Sequence, residues 1–199
     1  MVSGFEYSKA IANGVSGDKI IFNGPDKSAD DIRIAIQNES LLHIDHYDEL
    51  YETITIASLL KKRAKVAIGI NLDAGTYPIW DRFGFNYENG EAWNAINKII
   101  PNPNLELVGL HTHIGTYILS PTAYAIATSK LAAFAVRIEQ KYKFYLPITQ
   151  QQSHPVQKQC RGECLRKRFY RVLFEAMEAQ HLLFRANFLL NHNPHSPEE

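Results

Sequence analysis

Leu105-Glu-Leu-Val-Gly-Leu-His-Thr-His-Ile-Gly-Thr116 is the stretch on which the reading of the fold turns. Leu105, Leu107, Val108 and Leu110 make an apolar run of strand length that passes directly into two histidines, an isoleucine, a glycine and a threonine. Residues two apart share a face of a strand, so His111 and His113 project together wherever the extended backbone continues. A buried strand that ends in this way has the makings of a ligand site at its carboxyl end. Gly115 lets backbone approach a ligand closely, and Thr116 offers a hydroxyl and an N–H to an anion.

Upstream of this stretch, short apolar strands alternate with amphipathic helices. Phe5 to Ala12 reads as a helix stopped by Asn13-Gly14, and Lys19-Ile-Ile-Phe-Asn23 as a strand broken by Gly24-Pro25. Ser28 caps a helix that carries Asp30 and Asp31 in its first turn, where carboxylates suit the dipole. Leu41 to Ile44 is the next strand. Asp45 or His46 opens a helix through Leu50, Ile54, Ala57 and Leu60, and Lys65 to Asn71 is a third strand. A long loop leads to a helix over about 90–100, then to the Leu105 strand, and Pro121 starts a long helix through Leu131, Phe134 and Ile138. Such alternation predicts a parallel α/β sheet, and the continuous apolar runs Ile20–Phe22 and Val66–Ile70 suit strands buried on both faces. Periodicity leaves an open doubly wound sheet and a closed barrel as alternatives. No Gly-x-Gly-x-x-Gly or Walker-type loop follows a strand, which weighs against a nucleotide fold.

The whole chain has 199 residues, 45% of them hydrophobic and 11% aromatic, enough for one domain with a real core plus a tail. Lys and Arg number 21 and so do Asp and Glu, so no overall field points to nucleic acid or an anionic membrane. The start, Met1-Val-Ser-Gly-Phe-Glu, reads as no leader, and no run reaches membrane-spanning length; the expectation is a cytoplasmic protein. The rhythm stops after Ile148. That break predicts an incomplete barrel domain over 1–148 and, over 149–199, a polar linker followed by a helix from Glu163 to Leu190.

Other candidate residues read more simply. A His-x-His strand can ligate zinc, but this requires further ligands on other strand ends, and His43, His46, His154 and His181 stand in no such context. His111 reads as structural or as a support behind the site residues. Lys27, in a Gly-Pro-Asp-Lys turn, reads as a solvated lysine with no apolar setting to depress its pKa. Cys160 and Cys164 are one residue too far apart for a redox Cys-x-x-Cys pair and read as free thiols. Arg166-Lys-Arg168 reads as a solvated helix face, and Trp80 and Trp93 as packing residues.

Five motifs in order carry a family resemblance. Val2-Ser-Gly-Phe-Glu6, Ile20-Ile-Phe-Asn-Gly-Pro-Asp-Lys-Ser28, Ile44-Asp with the following Glu49-Leu50, Arg82-Phe-Gly84 and Gly109-Leu-His-Thr-His-Ile-Gly-Thr116 are each similar to a signature of the fold-type III pyridoxal-phosphate enzymes. Among these the chain most resembles the ornithine/diaminopimelate/arginine decarboxylases. The resemblance implies part of an alanine racemase-like (β/α)₈ TIM barrel that holds pyridoxal 5'-phosphate and acts on an amino-acid substrate, commonly as a homodimer. By motif position it implies that His113 stacks on the cofactor ring and that Gly115 and Thr116 lie beside the phosphate or its neighbouring loop. Arg82 falls where the family has a cation near the dimer interface.

The departures are equally specific. The family's Schiff-base lysine lies on the strand before the Val-Ser-Gly motif, so here it would precede Met1. Gly69 replaces an arginine of the third strand. Lys143-Phe-Tyr-Leu-Pro-Ile148 runs into glutamines where a Gly-Gly-Gly phosphate turn is expected, and the later Glu-Pro-Gly segment and C-terminal β domain have no counterpart. The sequence thus predicts a fragment or degenerate member of the decarboxylase family, inactive alone, or alternatively a non-catalytic regulatory or binding homologue. It also leaves open a mis-framed reading of a longer gene. It predicts no catalytic residue and no metal ligand.

Overall fold

The computed structural model describes residues 1–75, 81–115, 118–143 and 146, together with the backbone of Val172–Phe174. In chain order the elements are α1 (Gly4–Ala12), β1 (Ile21–Phe22), α2 (Ala29–Gln37), β2 (Leu41–Ile44), α3 (Tyr47–Leu60) and β3 (Ala64–Asn71). They continue with β4 (Phe85–Asn86), α4 (Glu91–Ile99), β5 (Leu105–Thr112), α5 (Pro121–Tyr142) and β6 (Val172–Phe174). The strands run in the order β1-β2-β3-β5-β6, with β4 beside β3, and every pairing is parallel.

Local chemistry sets the helix starts. Ser3 accepts from the Glu6 N–H, and the Glu6 carboxylate accepts from the Val2 N–H. At α2, Ser28 and Asp31 form a reciprocal capping box. His46 caps α3 through Nδ1, and Ser120 caps α5 just ahead of Pro121. Met1 lies alongside β1: its ammonium donates to the Ile21 carbonyl, and the Asn23 N–H donates back to the Met1 carbonyl.

All five helices among the described residues contribute to one apolar core, from Tyr7 of α1 through Ile32, Leu50 and Ile96 to Phe134 of α5. That core takes alternate strand residues, including Phe22, Leu42, Ile44, Ile68 and Leu110, all fully buried. Burying each side chain of this size contributes about 1.5–3 kcal/mol. A second, much smaller cluster of Leu41, Ala67 and Val108, with Ile21 beside it, comes from strand residues of the opposite parity. Helices gathered against a single face of a parallel sheet give the winding of a barrel, not that of a doubly wound sheet.

A bulge in β5 decides which face its residues take. Val66 pairs with Leu107 but Ala67 pairs with Gly109, so Val108 is an extra residue on β5. Strict alternation from Leu105 would put His111 on the side of Leu105 and Leu107, against the helices. The surplus residue shifts the parity. Leu105, Leu107 and Leu110 therefore all join the helix-side core, while Val108 and His111 turn inward.

Three features depart from the sequence reading. The two-residue strand β4 lies in what read as loop, and residues Gly17–Lys19 make a 3₁₀ turn before β1. Within the tail expected to be helical, Val172–Phe174 instead runs as a strand along β5; the rest of 149–199 lies outside the described residues. β4 reaches β3 through two glycines. Gly84 has φ +88°, and a Cβ on it would sit 2.7 Å from the Gly69 carbonyl carbon. Gly84→Ala is expected to cost about 1–3 kcal/mol from the positive φ alone, more with the clash, read as a lower urea midpoint.

Candidate functional site

An open cleft of about 170 Å³ lies at the carboxyl ends of the strands. Asn23, Asp45, Gly69, His111 and His113 supply its polar and backbone surface, and Val2, Pro25, Ile70 and Phe83 its apolar walls. Register brings the polar groups together, since Gly69 pairs with His111 across β3 and β5. On the same inner face, His43 of β2 lies against His111 with ring centroids 4.6 Å apart, and its Nδ1 is 2.9 Å from Asn23 Oδ1. Thr112, of opposite parity, instead donates its hydroxyl to the Ile70 carbonyl at 2.7 Å.

Below the cleft lies a buried ion pair that sequence reasoning missed. Lys27 is 6% exposed, and its ammonium donates to the Gly24 carbonyl at 2.5 Å, to the His43 carbonyl at 2.7 Å and to the Glu49 carboxylate. The ammonium also lies 5.7 Å from the centre of the Phe22 ring. The expected solvated lysine is therefore corrected: the Gly24–Lys27 turn folds inward and carries the side chain under the strand ends. Glu49 uses its second oxygen to accept the Asp45 N–H at 2.9 Å. With its three donors engaged, the Lys27 ammonium ties the turns after β1 and β2 together.

Asp45, the residue after β2, is the other group missed. Its position immediately beyond an apolar strand is the sequence signal that could have marked it. A Cβ on Gly69 would meet Asp45 Oδ1 at 2.0 Å, so the carboxylate fills the space where a side chain at 69 would begin. Burial pushes the Asp45 carboxyl up to about 6, against a partial lowering by the Lys27 ammonium and a further rise from Glu49. Burial likewise holds the His113 imidazole below its usual value, which favours its neutral form.

Of the residues singled out from sequence, His113 lies on the cleft wall just past β5. Gly115 follows with φ +130°, a conformation that favours glycine. Thr116, Trp80, Cys160, Cys164, His154 and His181 lie outside the described residues. His111 is 3% exposed and lines the cleft from below. Trp93 packs on Phe134, with the Arg137 guanidinium 4.0 Å above its ring. Arg82 is exposed. Among the described residues no group of three or more His, Cys, Asp or Glu is arranged to hold a metal ion, and no helix is long and apolar enough to cross a membrane.

A parallel sheet with its helices on one face and its polar side chains gathered at the strand carboxyl ends is a ligand-binding segment of an α/β barrel. Residues 1–149 match the pyridoxal binding domain of the pyridoxal-dependent decarboxylases, and the chain belongs to that family. The diaminopimelate decarboxylase of Pseudomonas fluorescens is 31% identical over 148 residues, which are 69% of this chain and 35% of that protein. Diaminopimelate decarboxylase of Methanocaldococcus jannaschii, in complex with L-lysine, superposes with a TM-score of 0.65 at 29% identity, over 70% of this chain and 34% of that one. The Helicobacter pylori enzyme, also with L-lysine, gives 0.59 at 30% identity, over 69% of this chain and 37% of that one. The chain spans about a third of the length of these relatives.

Two outcomes test this electrostatic arrangement. Lys27→Met strands the Glu49 carboxylate and is expected to cost about 3–5 kcal/mol in urea unfolding, with much of the loss recovered when Glu49→Leu is added. Asp45 ionises at higher pH folded than unfolded, so its contribution is fully present below its unfolded value near 3.8 and is lost as pH rises through about 6. Asp45→Asn is accordingly expected to match the parent Tm at pH 4 and to exceed it by roughly 2–4 °C for each kcal/mol gained at pH 7.

Proposed function

We infer that residues 1–149 form part of the cofactor barrel of a pyridoxal-phosphate-dependent amino-acid decarboxylase, and that this chain alone is not catalytically competent. The observation that carries the reading is the placement of His113 at the carboxyl end of β5, on the wall of the one cleft described, within a sheet of the family's winding. The fit to the cofactor is partial. His113, on the cleft wall, would stack on the cofactor ring, Gly115 allows backbone to approach closely, and Thr116 belongs to this side by motif position alone. When bound, pyridoxal phosphate supplies an electron sink for the carbanion left as an amino acid loses CO₂.

What this chain's residues contribute is binding and orientation. His111, packed at a tilt against His43, lines the cleft together with His113, and Ile70 and Phe83 supply apolar wall. No lysine among the described residues lines the cleft, and the ammonium of Lys27 is held in its buried pair. This supports incompetence of the chain alone. The diaminopimelate decarboxylases it resembles, two of them seen with L-lysine, favour an amino acid with a second amino group as substrate. By motif position, the exposed Arg82 would lie near the face through which a homodimer would form.

A non-catalytic binding homologue is the second reading, favoured by the capped helices and the continuous core of the described residues. The test is borohydride reduction of the purified chain with pyridoxal phosphate, followed by peptide mass mapping. No single-site, stoichiometric lysine adduct is expected; one such adduct would overturn the inference of incompetence. His113→Ala is expected to weaken the reversible binding of pyridoxal phosphate about tenfold, the scale of a lost ring contact in a buried setting. A cooperative thermal transition in the isolated monomer would favour the second reading over a dependent fragment.

A further inference from the structure

The space over Gly69 is taken by an acidic side chain. Asp45 Oδ1 stands where the Cβ of residue 69 would be, and the carboxylate faces the cleft with Phe83, His111 and His113 around it. Lys27, the cation nearest in the chain's own electrostatics, is committed to Glu49 and to two carbonyls. Among the described residues no cation comes within ion-pair distance of Asp45. His46, a further neighbour, is the exposed cap of α3. Among the described residues the Asp45 carboxylate therefore has no ion-pair partner, and desolvated charges are stable when paired.

We propose that the hollow formed by Asp45, Gly69 and Phe83 seats a small organic cation of the guanidinium type, with the Asp45 carboxylate as its partner. Three observations favour a guanidinium over a compact ammonium. A carboxylate accepts the planar fork through two parallel N–H donors. Because residue 69 has no side chain, the Asp45 carboxylate lies over the strand backbone on the cleft lining, where a planar cation can meet it. The Phe83 and His113 rings on the walls give a weakly hydrated planar cation faces to stack on. A cation there would hold Asp45 ionised and remove the opposition between burial and charge.

The seat does not depend on the cofactor, so its test omits pyridoxal phosphate. Methylguanidinium chloride is titrated into the full chain at about pH 8, against sodium chloride at equal ionic strength, and backbone amide shifts are followed by NMR. Saturable shifts centred on Gly69, Gly84 and His113 are expected with methylguanidinium and not with sodium. Asp45→Asn is expected to weaken the apparent Kd about tenfold or more, as loss of one member of a charge pair does. Gly69→Ala, whose methyl displaces the carboxylate, gives a second perturbation and is also expected to weaken it. Shifts that fail to saturate in the parent chain, or that persist unchanged in Asp45→Asn, would overturn the proposal.

Discussion

The buried ammonium of Lys27 is the interaction on which the functional end of this sheet depends. It joins the carbonyl of the turn after β1, the carbonyl of His43 on β2 and the carboxylate of Glu49 in the first turns of α3. Glu49 in turn holds the Asp45 N–H, so a single charge pair sets the backbone at two neighbouring strand ends. Charges brought out of water need a full set of partners, and this pair has them. Asp45, just past the end of β2, gains position from the arrangement, and among the described residues no cation pairs with it. Stability and chemistry thus meet at adjacent residues: the satisfied pair fixes the frame, and the unsatisfied carboxylate faces the ligand space.

A second constraint is steric. Gly69 and Gly84 allow β4 to approach β3 backbone to backbone, and the absent side chain at 69 lets the Asp45 carboxylate lean over the strand. In the family resemblance this position belongs to an arginine, so the exchange removes a positive charge from one wall and leaves a negative one exposed to the cleft. The change in local charge is one full unit, and it falls within the lining of the site.

Much of this was legible in the sequence. The Ser28-x-x-Asp31 box, the apolar runs at Leu41 and Val66 and the histidines after Leu110 carry local signals, because caps and buried strands are short-range phenomena. The burial of Lys27 was not legible, since a Gly-Pro-Asp-Lys turn has the same composition whether its lysine points outward or under a sheet. Nor was Asp45, whose importance arises from a glycine twenty-four residues later and from the register between β2 and β3. The expectation that His111 and His113 share a face agrees with both lining the cleft, yet the direction of that face depends on a bulge that alternation alone would have missed.

The surplus residue in β5 separates two demands that would otherwise compete. Leucines ahead of it are cut to fit the surrounding helices, and imidazoles beyond it are cut to fit whatever enters the mouth of the barrel. Because Val108 takes up the mismatch, the packing half of the strand can drift in sequence without rotating the chemical half out of view. A bulge of this sort lets one rigid wall carry different reagents at its rim over evolutionary time.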